Sequence, residues 1–90
     1  MKQAHVFISG SVQGVGYRYF VLTNAQKLGL TGWVRNTKEG GVEAVLQGKK
    51  DTIQELIDLC KQGPFMAEVK HIGFEWEERE DQLTNFLIRD

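Results

Sequence analysis

The chain has 90 residues and a mass of 10.2 kDa, enough for one hydrophobic core and too little for two. Hydrophobic residues make up 41% and charged residues 26%, with ten glycines and one proline, a globular composition that excludes disordered, collagenous and low-complexity classes. The formal net charge of -1 combines +5 over residues 1–50 with -6 over residues 51–90; this balance excludes nucleic acid as the main partner, which needs a basic domain, and leaves a small anion possible on the first half.

Along the chain, Ala4 to Val12 alternates, with Val6, Ile8, Gly10 and Val12 on one face and His5, Phe7 and Ser9 on the other, which predicts a half-buried strand. The apolar run Val6-Phe7-Ile8 is too short for a signal peptide, and no segment reaches membrane-spanning length. Tyr17, Phe20, Val21, Ala25 and Leu28 recur at helical spacing and Gly29 follows, predicting a helix over 17–28. Thr31–Asn36 and Val42–Gln47 alternate on either side of Thr37-Lys38-Glu39-Gly40-Gly41, the pattern of a hairpin. A second helix is predicted from Thr52-Ile53-Gln54-Glu55 read as a capping box, with Ile53, Leu56, Ile57 and Cys60 as its apolar face and Gly63-Pro64 as its end. Val69, Ile72, Phe74 and Trp76 predict a strand whose alternation slips between Val69 and Ile72, implying a bulge. Phe86-Leu87-Ile88 predicts a short last strand.

The order βαββαβ is that of an α+β, ferredoxin-like α/β sandwich: an antiparallel sheet with two helices on one face, and here a short C-terminal strand. A single domain over residues 1–90 is expected. Cys60 is the one cysteine, so no internal disulfide can staple the fold, which favours a reducing, cytoplasmic setting with no membrane partner.

Between the first strand and the first helix lies Ser11-Val12-Gln13-Gly14-Val15-Gly16-Tyr17-Arg18. The first turn of a helix has unpaired N–H donors and a partial positive charge, and glycines let successive N–H groups converge on an anion. Arg18 adds a planar fork that grips two phosphate oxygens. The loop is neither a Walker A motif nor the dinucleotide fingerprint. A glycine corner with a solvated Arg18 is the plainer alternative, and the loop alone does not decide between them.

The run Gly10-Ser11-Val12-Gln13-Gly14-Val15-Gly16-Tyr17-Arg18, followed by Gly32-Trp33-Val34-Arg35-Asn36-Thr37 and Gly41-Val42-Glu43, resembles the two signature segments of the acylphosphatase family. The closing Phe86-Leu87-Ile88-Arg89 is similar to that family's last strand, so the resemblance covers nearly the whole chain. It implies hydrolysis of the carboxyl-phosphate anhydride of a small-molecule acyl phosphate. The family's phosphate-binding arginine falls on Arg18, its water-orienting asparagine on Asn36, and its phosphate cradle on the backbone of Val12, Gln13, Gly14, Val15 and Gly16. A metal-independent enzyme with no metal site and no cofactor is expected, and a monomer is the expected state, although the residues themselves do not decide between monomer and dimer. Two residues depart from the pattern: Tyr17 replaces a more usual phenylalanine, and Asp90 stands where many members have tyrosine.

The residue types suit that chemistry. A departing carboxylate is the base of an acid with pKa about 4 to 5, so no general acid is required. The remaining tasks are to hold the phosphoryl group, offset its charge and aim a water in line. Arg18 and the loop serve the first two, and the Asn36 amide, with one acceptor and one donor end, serves the third.

The other chemistry-bearing residues have plainer roles. Cys60 sits on an apolar helix face, outside any phosphate loop. His5 and His71 lack partners at metal-ligand spacing. Trp33 and Trp76 are expected to pack on the sheet, with lining of an acyl pocket by Trp33 as the alternative. Glu75 to Asp81 reads as a solvated acidic strand end, and Arg35 and Lys38 either attract substrate or are ordinary surface charge. The competing reading is a non-enzymatic ferredoxin-like module binding RNA or an anionic ligand. Val42–Gln47, where such a module carries stacking aromatics, has none.

Overall fold

The computed structural model describes the whole chain, Met1–Asp90. Its elements run β1 (Lys2–Ser11), α1 (Tyr17–Lys27), β2 (Thr31–Asn36), β3 (Val42–Gly48), α2 (Lys50–Gln62), β4 (Glu68–Glu78) and β5 (Phe86–Ile88). The sheet order is β4-β1-β3-β2-β5. The alternation read from the sequence sets the faces. Ala4, Val6 and Ile8 of β1, Val34 of β2 and Ala44 and Leu46 of β3 are buried in one cluster with Val21 and Ala25 of α1 and Ile53, Leu56, Ile57 and Cys60 of α2. His5, Phe7 and Trp33 occupy the opposite face, which no helix covers.

The expected antiparallel sheet holds for β1 to β4, and β5 differs by lying parallel to β2. Successive antiparallel neighbours make β4 and β2, at opposite ends of the four-stranded set, run in opposite senses. A strand that reverses direction after β4 and docks beside β2 is therefore parallel to it. Residues 79–85 carry the chain between these edges past Gln47, which is 1% exposed. Gln47 accepts from Leu83 N at 2.8 Å and donates to Asp81 O at 3.3 Å and to Gln3 Oε1 at 2.8 Å. A buried amide left without such partners would cost about 1–3 kcal/mol. The crossing segment thus relieves a cost as it reaches the far edge.

The slip predicted in β4 is present. His71 pairs with Ser9 but Val69 with Gly10, so Lys70 is the extra residue of a bulge. Helix α1 ends where Gly29 allows it: Leu30 N bonds Ala25 O at 2.9 Å and Gly29 N bonds Gln26 O at 3.2 Å, with Gly29 at φ 71°, a Schellman closure.

The capping box is not formed. Helix α2 begins at Lys50, with Lys49 as a cap lacking any side-chain bond, so Thr52 lies inside the first turn. The helix starts directly off Gly48 at the end of β3, and Asp51 in the first turn complements its dipole. No helix is long and apolar enough to cross a membrane.

Candidate active site

The connection from β1 to α1 is held by its apolar residues and left open by its polar groups. Val12 is 1% exposed and Val15 packs against the core. Between and after them Gly14 and Gly16 adopt φ of 74° and 79°, and a Cβ at either position would meet nothing within 4 Å. Backbone conformation, not space, therefore demands glycine here. These turns leave the N–H groups of Val12 to Gly16 without any hydrogen bond inside the protein, and the same holds through the first turn of α1 until Phe20 N bonds Gly16 O. Helix α1 has no side-chain cap and no acidic residue in its first turn. A run of free donors at an uncompensated positive helix end is an anion cradle.

Arg18 stands in that first turn, half-buried, and no ion pair in the structure involves it. Asn36 ends β2 on the helix-facing side, two residues beyond the buried Val34. Its Oδ1 is the one buried side-chain polar atom without a hydrogen-bond partner. The two side chains border a single cleft of about 270 Å³ together with Val12, Gly14 and Gly16 of the loop, and with Tyr17, Tyr19 and Ile88. No Asp, Glu, His or Cys borders it, and no group of three or more such side chains anywhere could hold a metal ion.

Of the five loop residues read from the sequence, Gln13 and Val15 do not border the cleft. Val15 is turned to the core, and the Gln13 side chain crosses to the β2–β3 turn, where its Nε2 donates to Thr37 O and Gly41 O, each at 2.8 Å. The sequence reading gave Gln13 a backbone role only and missed this clamp. Tyr19 and Ile88 were missed as well. The helical spacing that places Tyr17, Phe20 and Val21 on the core sends Tyr19 outward, and the parity that buries Phe86 puts Ile88 on the side of Val34 and Asn36.

The remaining candidates lie elsewhere. Arg35 points to the open face of the sheet, where its guanidinium bonds Glu43 at 2.6 and 2.8 Å, and His5 Nε2 lies 2.5 Å from the other Glu43 oxygen. Burial works against the Glu43 charge, but hydrogen bonds from His5 and Arg35 outweigh it and hold the carboxyl below its usual range. Arg35 is thus neutralised on the far side of the sheet from Asn36, and only Lys38 of that pair is a free surface charge. A larger cleft of about 560 Å³, bordered by Phe7, Arg35, Glu43 and His71, belongs to this open face and contains neither Arg18 nor Asn36. Trp33 packs there too, with the Arg89 guanidinium 4.6 Å from its ring centre, and does not line the site. Cys60 is buried, and that burial pushes its thiol up to about 11, the state of an inert structural cysteine.

The two departures from the sequence pattern are accommodated. Tyr17 is buried and its hydroxyl donates to Cys60 O at 2.7 Å, tying α1 to α2, while burial pushes the phenol far above its ordinary range. The C-terminal segment docks without a tyrosine at residue 90: Phe86 is 5% exposed, and Arg89 N bonds Val34 O at 2.8 Å.

The chain matches a family model described as Acylphosphatase over residues 4–88. An acylphosphatase of Trichormus variabilis is 49% identical over 87 residues, covering 97% of this chain and 85% of that protein. One from Moorella thermoacetica is 47% identical over 89 residues, covering 99% and 95%. The crystal structure of acylphosphatase from Bacillus subtilis superposes with a TM-score of 0.97 at 33% identity, covering 100% of both chains. Similarity of sequence and of fold thus extends over nearly the whole length, and the chain belongs to the acylphosphatase family.

Proposed function

We propose that this protein hydrolyses acyl phosphates to a carboxylate and inorganic phosphate, without a metal ion, using Arg18 and the 12–16 backbone to hold the phosphoryl group and Asn36 to orient water. The observation that carries the reading is the convergence on one cleft of three unsatisfied groups: free backbone donors, an arginine with no counter-ion and an asparagine oxygen with no donor. A phosphoryl group with its attacking water offers partners to all three.

The phosphoryl oxygens take the loop N–H groups and the Arg18 fork, which offset the charge that spreads over them in the transition state. A buried acceptor without a partner costs about 1–3 kcal/mol, and a water donating to Asn36 relieves that cost. A half-turn about the terminal torsion of Asn36 exchanges its oxygen and nitrogen with little change of shape, which lets the oxygen face the cleft and accept from the water. The water oxygen forms a bond to phosphorus as the bond from phosphorus to the acyl oxygen breaks. The acyl oxygen leaves as a carboxylate, and the water's proton passes to a phosphoryl oxygen. With no carboxylate or imidazole bordering the cleft, the side chains supply neither a general base nor a metal ligand.

The test is hydrolysis of acetyl or benzoyl phosphate by the purified protein with excess chelator. Phosphate release with chelator present, competitively inhibited by inorganic phosphate, is expected. Activity lost to chelator and restored by magnesium would contradict the metal-independent mechanism.

A further inference from the structure

We propose that Arg35 and Glu43, joined on the open face of the sheet, are positioning residues that hold Asn36 in place on the other face. The inference rests on the hydrolytic reading above and adds what fixes the water-orienting side chain.

Asn36 is the last residue of β2 and pairs with Val42 of β3, while Arg35 pairs with Glu43. One step further on, Thr37 N bonds Gly41 O at 2.9 Å. Hydrogen-bonded and non-hydrogen-bonded pairs alternate along an antiparallel ladder. The pair Asn36–Val42 is therefore of the non-bonded kind, and the bonds on either side of it belong to Arg35 with Glu43 and to Thr37 with Gly41. On the other edge of β2, β5 pairs with Gly32, Trp33 and Val34 and stops short of Asn36. The backbone of Asn36 is thus held through its two neighbours, Arg35 and Thr37.

Each of these neighbours carries a side-chain link across the same rung. Gly41 N donates to Thr37 Oγ1 at 3.0 Å. Arg35 Nε and Nη2 both donate to Glu43 Oε1, at 2.8 and 2.6 Å, and His5 Nε2 engages the other carboxylate oxygen. His5, Glu43 and Arg35 stand on β1, β3 and β2, which are adjacent in the sheet, so the line they form ties the end of β2 to the middle of the sheet. Glu43 is buried, and a charge-assisted pair screened from water is stronger than an exposed one. Successive strand residues share one backbone and face opposite sides, so freedom at Arg35 becomes rotation at Asn36. Arg18 and residues 12–16 belong to other segments, and phosphate binding does not draw on this pair.

The experiment measures kcat for acetyl phosphate and inhibition by inorganic phosphate in the full chain, for Arg35→Met, Arg35→Lys and Arg35→Met combined with Asn36→Ala. Unfolding curves fix conditions in which every variant is folded. Arg35→Met, which keeps the stem and removes the donors, should lower kcat about tenfold, since in-line geometry tolerates little misplacement. Its inhibition constant for phosphate should stay within about twofold of wild type, and Arg35→Lys, which keeps a charged donor for Glu43, should recover most of the rate. In the Asn36→Ala background Arg35→Met should lower the remaining rate by less than about twofold, because the effect passes through the missing amide. In isotope-labelled protein the side-chain amide resonances of Asn36 should shift or broaden in Arg35→Met and return toward wild type in Arg35→Lys. Undiminished kcat in Arg35→Met would overturn the proposal, as would phosphate inhibition lost in parallel with kcat or an equal loss of rate with and without Asn36. Unmoved Asn36 resonances would overturn it whatever the rates. A wild-type protein that cleaves no acyl phosphate would remove the hydrolytic reading, and the Asn36 resonances would still decide whether the pair anchors that side chain.

Discussion

Gln13 Nε2 donates to Thr37 O at 2.8 Å, joining the loop after β1 to the residue that follows Asn36. The same nitrogen donates to Gly41 O at 2.8 Å, and Thr37 N bonds Gly41 O at 2.9 Å across the hairpin. The proposed phosphate cradle and the proposed water-orienting residue come from different parts of the chain, and this amide joins the two segments. Gln13→Ala should lower kcat by about tenfold, because in-line geometry tolerates little misplacement. Gln13→Glu should be worse near neutral pH, where a carboxylate faces two carbonyl oxygens and donates nothing. Below about pH 4.3 the protonated acid regains one donor, so its rate relative to wild type at the same pH should recover. A Gln13→Glu deficit independent of pH would argue against the clamp.

Arg18→Lys keeps the charge and loses the bidentate fork. We expect kcat/KM to fall about 10²- to 10³-fold, and Arg18→Ala to lose inhibition by phosphate as well. Thermal stability should be retained in both, since no ion pair is broken. Unfolding curves recorded beside the kinetics separate loss of the clamp from loss of the fold.

Glu43, 8% exposed, has a carboxyl held below its usual range by His5 and Arg35 against the opposing effect of burial. A depressed folded-state pKa contributes stability that is present above the unfolded value, about 4.3, and is lost as pH falls through the folded value. Glu43→Gln should therefore lower the denaturation midpoint at pH 7, and the gap from wild type should close as the pH falls below about 4. Urea titrations at pH 7 and pH 3 measure it; an equal gap at both would contradict the pairing.

Tyr17→Phe removes the hydroxyl that donates to Cys60 O. A hydrogen bond of this kind contributes about 1 kcal/mol, which for a domain of this size shifts Tm by about 4–8 °C. Calorimetry should show that loss, and an unchanged Tm would mean that the bond between the helices contributes nothing net.

How much of this was legible beforehand follows from what each signal depends on. The alternation of Val6, Ile8 and Val12 and the spacing of Ile53, Leu56 and Ile57 report burial directly, because one apolar face must meet the core. The slip between Val69 and Ile72 showed the bulge because a bulge shifts side-chain parity. The start of α2 was misread because Thr52 and Glu55 mimic a cap two residues inside a helix that begins straight off Gly48. The parallel pairing of β5 depends on which edge a short strand reaches, and nothing within Phe86-Leu87-Ile88 encodes that. Arg18, Asn36 and the loop glycines stood out through their residue types and through the family resemblance. The Gln13 clamp and the placement of Ile88 beside the cleft needed the folded chain, since each joins residues far apart in sequence, whereas the outward Tyr19 follows from the helical spacing around it.

The central claim is that Asn36 orients water instead of acting as a base, and Asn36→Asp measures this most directly. Aspartate keeps the shape and an acceptor, removes the donor, and sets a negative charge beside an anionic phosphoryl group. Single-turnover hydrolysis of benzoyl phosphate should be followed from pH 4 to 8, with inhibition by inorganic phosphate measured alongside. At neutral pH the account predicts a rate about 10²-fold or more below wild type and weakened phosphate affinity, with partial recovery as the carboxyl protonates. Asn36→Ala in parallel should lose the rate while keeping phosphate affinity. An Asn36→Asp enzyme as fast as wild type at neutral pH would contradict the account.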